Sequence, residues 1–149
     1  GFQVQASNNI SESVKNADIV VTTTPSTEPI LKADWLHPGL HITAMGADQH
    51  TKNELDPNCL KLADLYVADS ISQTVKQGEL RAALDAKIIA LDKNFPELGQ
   101  IINKTEEGRS SPKDITIVDL TGTGAQDTAI ATYALKKAVE LGVGEIFHN

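Results

Sequence analysis

Apolar Phe2, Val4 and Ala6 alternate with Gln3, Gln5 and Ser7, a period of two that predicts a short strand over residues 2–6 with one buried face. A brief helical stretch opens at Ser11-Glu12 and closes at Lys15-Asn16. The run ADIVVTT that follows is apolar and β-branched without a break. It predicts a strand over residues 18–23 covered on both faces, as parallel strands are, and it stops at Thr24-Pro25. Residues 30–36 form an amphipathic turn around Trp35, the only tryptophan, which we expect to anchor packing. After Pro38-Gly39 comes a strand over 40–45, then a polar loop in which Asp56-Pro57 suits the first turn of a short helix. LYVA at 65–68 predicts another strand, followed by the acid Asp69.

Residues 70–84 are helical in pattern, with Ile71, Val75, Leu80, Ala83 and Leu84 on the apolar side and Gly78 interrupting. A second helical pattern lies within 87–104, at Leu98, Ile101 and Ile102, and the charged, turn-rich 106–112 is an exposed loop. ITIVDL at 115–120 is the last strand. TGTG follows, and then an Ala-rich helix over 125–141 with Ile130, Ala134, Leu135 and Ala138 along one side. Five strands alternating with helices predict one α/β domain over residues 1–149, a Rossmann-like parallel sheet with flanking helices and right-handed crossovers.

Composition narrows the functions this domain can serve. With 40% hydrophobic residues the chain can bury a core, and its net charge of −7 argues against a nucleic-acid partner, which needs clustered Lys and Arg. One cysteine, Cys59, makes no internal disulfide, and the simplest compartment is the cytoplasm. His37, His41, His50 and His148 are scattered; surface or loop positions are expected for them rather than a metal site. No apolar run reaches the roughly 18 residues of a membrane span. The chain opens on Gly1 and enters a strand pattern at once, which we read as a piece of a longer protein.

Candidate chemistry sits at the strand ends, because ligands of open parallel sheets bind outside the carboxyl ends of the strands. HITAMGADQHTKNEL, residues 41–55, delivers Asp48 just past a strand; the same pattern also describes a strand leading into a solvated loop. Thr22, Thr23, Thr24, Pro25 and Ser26 close the second predicted strand with small hydroxyls and backbone N–H groups that could meet a ribose or phosphate, or simply form a proline turn. The Gly-rich turn at 121–124 fails as a dinucleotide fingerprint. Asp127 stands where a third Gly or Ala belongs, and an acid in the first helical turn repels phosphate while favouring the helix dipole.

VTTTPSTEPIL, ITAMGADQHTKNELDP and ITIVDLTGTGAQDTAIA, in that order and with VADSISQTVKQGEL between the last two, resemble the ornithine cyclodeaminase and mu-crystallin family over residues 10–142. MGADQHTKNEL and DLTGTGAQDTAIA look closest to its ectoine-utilisation branch. The resemblance implies an NAD(P)-dependent enzyme, a cyclodeaminase, dehydrogenase or imine reductase acting at the α-carbon of a small amino acid or imine. It also implies a dimer whose subunits pair a Rossmann-like cofactor domain with a separate dimerisation domain. Asp48 matches the catalytic aspartate, for which a buried acid/base is expected. Thr24, Pro25, Ser26, Met45, Gly46 and Thr121 match cofactor-contacting strand ends; Leu120, Thr121 and Gly122 match the substrate side. Lys52 and Glu54 belong to the motif and are assigned to structure.

The family's glycine-rich pyrophosphate loop, its ribose-reading acid and its substrate-gripping basic residues have no counterpart in these 149 residues. The fold is therefore expected to be incomplete, lacking the first βαβ unit and the dimerisation domain. The piece alone is expected to bind NAD or NADP weakly and to turn over nothing. A non-catalytic binding or interaction module on the same scaffold is the alternative reading.

Overall fold

The computed structural model describes residues 1–90, 94–145 and 147. Four parallel strands form one sheet in the order β1-β2-β4-β3: β1 Ile19–Thr22, β2 His41–Ala44, β3 Leu65–Ala68 and β4 Thr116–Asp119. Among the described residues six helices accompany them: α1 Ile10–Lys15, α2 Asn58–Leu62, α3 Ile71–Thr74, α4 Gly78–Asp85, α5 Leu98–Ile102 and α6 Gly124–Leu141, with a 3-10 turn at Ala33–Trp35. The register is in step across the sheet. Thr22 lies beside Ala44, Ala44 beside Asp119 and Asp119 beside Ala68, so all four strands end at one level.

Side chains alternate across a strand, and the face bearing Ile42, Ala44, Ile117 and Tyr66 is the one the helices cover. Leu31, Leu40, Ile42, Leu55, Leu60, Leu80 and Ile117 are fully enclosed there. Each such side chain contributes about 1.5–3 kcal/mol by leaving water. Tyr66 and Phe95 meet edge to face with ring centroids 5.0 Å apart. Trp35 packs half-buried against this core, as expected of an anchor, with Lys32 Nζ 5.9 Å from its ring centre.

Three expectations are corrected. Residues 2–6 form no strand. Phe2 is fully exposed and Val4 is 92% exposed, because no strand pairs with them and no apolar surface receives them. The β-branched run at 18–23 becomes the edge strand β1, with Ile19 and Val21 65% and 56% exposed, so one face and one edge are open where full coverage was expected. The helix expected over 70–84 is two helices. Gly78 adopts φ +86°, which breaks the spiral, and a Cβ there would press on Asp119 and Thr121. Of the 87–104 pattern only α5 is helical among the described residues, and residues 91–93 lie outside them.

Helix α6 starts in a capping box between Thr123 and Gln126, carries Asp127 in its first turn and ends at Gly142 in the left-handed conformation. None of its residues is buried. Ile130 and Leu135 of the apolar side stand in solvent, and so do Tyr133, Val139 and Leu141. Among the described residues no helix is long and apolar enough to cross a membrane.

Candidate functional site

The strand ends bring the anticipated residues together. Where the ladder runs out, Met45 N–H donates to the Thr22 carbonyl (2.9 Å), Leu120 N–H to Ala44 (2.8 Å) and Asp69 N–H to Asp119 (2.9 Å). Thr24 therefore stands beside Gly46 and Leu120 beside Ala44, while Pro25, Ser26, Asp48, Thr121 and Gly122 follow at the same carboxyl end of the sheet. The loops are stitched further by Asn53 N–H donating to the Ser26 carbonyl (3.0 Å).

Asp48 is not the buried carboxylate expected. It sits past the strand with 48% of its side chain exposed, and Lys52 Nζ donates to its Oδ1 over 2.6 Å. Its Oδ2 has no hydrogen-bond partner among the described residues. Lys52, assigned to structure from the sequence and itself mostly covered, is the hydrogen-bond partner of Asp48; its spacing of four from Asp48 was the available signal.

The buried acids are others. Glu54, Glu79 and Asp119 are at most 1% exposed. Glu54 accepts from Gly46 N–H (2.9 Å) and from Thr24 N–H. Glu79 accepts from the main chain of Glu54 (2.9 Å) and Leu55 (3.0 Å) and from Asn53 Nδ2 (3.3 Å). Asp119 in turn accepts from the main chain of Glu79 (2.8 Å) and Leu80 (3.2 Å) and from the Tyr66 hydroxyl (2.7 Å). Burial, reinforced by the charges of Asp119 and Glu54, pushes Glu79 up to about 8 against the main-chain donors that oppose it. Burial likewise raises Asp119 to about 6 and drives the Tyr66 phenol upward. Residue type alone signals none of this, because, the Gly46–Glu54 bond aside, the partners are 24 to 53 positions apart in sequence.

A fourth acid, Asp69, takes the N–H groups of Thr121 (2.8 Å) and Gly122 (2.9 Å) and the Thr121 hydroxyl. The Gly-rich turn therefore spends its amides on the protein's own carboxylate, as Thr24 and Gly46 spend theirs on Glu54, and neither pair forms a phosphate cradle. Open features remain. Thr22 Oγ1 is buried without a partner at the end of β1 and lines a cleft of about 410 Å³ with Thr23 and Thr24. Gly122, at φ +82°, has no atom within 4 Å of where a Cβ would stand, so a planar group can approach its backbone. Small hydroxyls, an accessible backbone and an adjacent carboxylate suit the ring and ribose end of a nucleotide better than its anionic pyrophosphate.

The remaining candidates are structural. His37 Nε2 lies 3.1 Å from the Ala17 carbonyl. His41 sits half-buried within β2, not on a loop, bonded to the Thr116 hydroxyl (2.7 Å), and burial and then Arg109 lower its pKa. His148 lies outside the described residues. Burial pushes the Cys59 thiol up to about 12, which keeps it unreactive.

The model of the ornithine cyclodeaminase/mu-crystallin family matches residues 1–141. An uncharacterised cyclodeaminase of Sinorhizobium fredii is 53% identical over 148 residues, 99% of this chain and 45% of that protein. Among solved structures, an archaeal alanine dehydrogenase dimer with bound NAD superposes with a TM-score of 0.82 at 37% identity, over 93% of this chain and 43% of that one. The Thermococcus litoralis Δ1-pyrroline-2-carboxylate reductase in complex with NADH and L-proline gives 0.85 at 26% identity, over the same shares. The chain spans less than half the length of these relatives.

Proposed function

This chain belongs to the ornithine cyclodeaminase/mu-crystallin family, and from that premise we propose that it is part of an NAD(P)-dependent enzyme working at the α-carbon of a small amino acid or its imine, with Asp48 as acid/base. The observation that carries the reading is the position of residues 24–26, 45–48 and 120–122 just past the carboxyl ends of three adjacent strands, with a carboxylate oxygen of Asp48 left open to a ligand. Solved relatives that hold NAD or NADH support the choice of cofactor, and the alanine dehydrogenase dimer supports a homodimeric parent.

The nicotinamide, when bound, would accept a hydride from the α-carbon or deliver one to it. The chain's own residues then have two tasks. Thr24, Pro25, Ser26, Met45, Gly46 and Thr121 line the ring and ribose side, where the Thr22 hydroxyl has no partner of its own. Asp48 removes a proton from the substrate ammonium, so that loss of the hydride from the α-carbon leaves an iminium; in the reducing direction it returns the proton to nitrogen. Lys52, at 2.6 Å, fixes the orientation of the carboxylate. Leu120, Thr121 and Gly122 border the reacting carbon. The assignment to the ectoine-utilisation branch and to the cytoplasm belongs to the same proposal.

Taken alone, the chain binds the dinucleotide weakly, since its strand-end amides are already bonded to Glu54 and Asp69. The deciding experiment follows reduced-nicotinamide absorbance of the full-length parent against a panel of amino acids and cyclic imines. Asp48→Asn should abolish turnover and leave NADH binding intact; loss of binding with the fold preserved would make Asp48 structural.

A further inference from the structure

The structure assigns Glu54 a positioning role: its buried carboxylate sets the separation of the two loops that carry the proposed cofactor contacts and Asp48. The assignment rests on the function proposed above. Between β1 and β2 the regular ladder ends with Met45 N–H on the Thr22 carbonyl (2.9 Å). Beyond that bond the ladder pattern stops, and the next amides, those of Thr24 and Gly46, are joined through Glu54, one on each carboxylate oxygen. The spacing of the two strand ends is thereby fixed.

Glu54 is held as firmly as it holds. Its carbonyl accepts from Ile30 N–H (2.8 Å) and Leu31 N–H (3.0 Å), and its own N–H donates to Glu79 Oε1 (2.9 Å). Gly46 is shaped to receive it, because a Cβ on that residue would overlap both the Glu54 carboxylate and the Thr24 carbonyl. Asp48 is two residues beyond Gly46, and Pro25 and Ser26 directly follow Thr24. One side chain that touches no ligand thus orients both walls of the site.

Amide hydrogen exchange and NADH titration, both followed by NMR on the 149-residue chain, test this. E54Q keeps one acceptor oxygen but turns an NH2 group toward an N–H. It should speed exchange at Thr24 and Gly46 about tenfold, the loss of roughly one hydrogen bond, while Ile42 and Ile117 in the core stay protected. NADH-induced shifts at residues 24–26 and 45–48 should need about tenfold more ligand than in the wild type. Should E54Q fold poorly, E54D, one methylene too short to reach both amides, should give the same local signature. Unchanged exchange at Thr24 and Gly46 overturns the role, and so does an equal rise at Ile42 and Ile117, which would make Glu54 a general stability residue. The cofactor reading is decided separately, by NADH binding to the full-length parent; if the wild-type piece shows no NADH shifts, the exchange pattern alone decides for or against Glu54.

Discussion

The main-chain N–H of Glu79 donates to the carboxylate of Asp119 over 2.8 Å, while the carboxylate of Glu79 receives the main-chain N–H of Glu54 over 2.9 Å. Three acids are thereby linked head to backbone beneath the strand ends. Their stability depends on pH with a definite sign. Folded, Glu79 keeps its proton up to about pH 8 and Asp119 up to about 6, whereas unfolded carboxylates release theirs near about 4. Between those values the folded chain binds more protons. The stabilising contribution is complete below about pH 4 and is lost as pH rises through 6 and then 8. The urea midpoint is expected to fall steadily from about pH 5 to about pH 9; a midpoint that rises over that window would contradict the arrangement.

Tyr66→Phe removes the one side-chain donor to Asp119 and leaves the ring contact with Phe95 in place. The expected loss is about 1–3 kcal/mol, the cost of a buried carboxylate deprived of a hydrogen bond. Equilibrium urea unfolding measures it, and a change below about 0.5 kcal/mol would mean that water or another donor takes over.

At the surface end of the site the balance is reversed. Asp48→Asn and Lys52→Met break an ion pair whose carboxylate is half exposed and should move stability by no more than about 0.5–1 kcal/mol. In the full-length parent the two should separate. D48N should leave turnover undetectable with NADH affinity intact, and K52M should lower kcat while sparing KM for NADH, as expected if the lysine orients the carboxylate.

Helix α6 makes a different kind of prediction. Ile130, Tyr133, Leu135, Val139 and Leu141 are each between 58% and 75% exposed, more apolar helix surface than a monomer in water tolerates. The chain should self-associate with rising concentration in analytical ultracentrifugation. Ile130→Lys with Val139→Lys should weaken that association without lowering the thermal midpoint, since neither side chain belongs to the core. Monomeric behaviour of the unmodified chain at high concentration would count against it.

Much of the scaffold was legible in the sequence. LYVA at 65–68 is β3 to the residue, and the strands over 40–45 and 115–120 are each shortened by one residue at either end. These runs pack on both sides or lie mid-sheet, where local pattern and burial agree. Phe2 and Val4 misled because alternation predicts a strand only when a neighbour exists to pair with it. The strand-end position of Asp48 was legible and its burial was not, since exposure of a loop side chain depends on what else approaches it. Glu54 and Glu79 were harder still. From sequence Glu54 is assigned to structure only as part of the motif and Glu79, within QGELR, carries no assignment at all, and only the fold reveals that both carboxylates bind backbone amides, those of Thr24 and Gly46 and those of Glu54 and Leu55.

The sheet order has a consequence for how the chain reaches this state. Strands β2 and β3 do not touch one another and are joined only through β4, which comes last in sequence. Until Thr116–Asp119 has left the ribosome, β2 and β3 have no common neighbour and Ile117 is missing from the centre of the core. The amides of Glu79 and Leu80 lack their acceptor for as long. Such non-local pairing is slow, and completion of the domain falls to a single late insertion, in which the strand that closes the sheet also delivers the Asp119 carboxylate beneath the site.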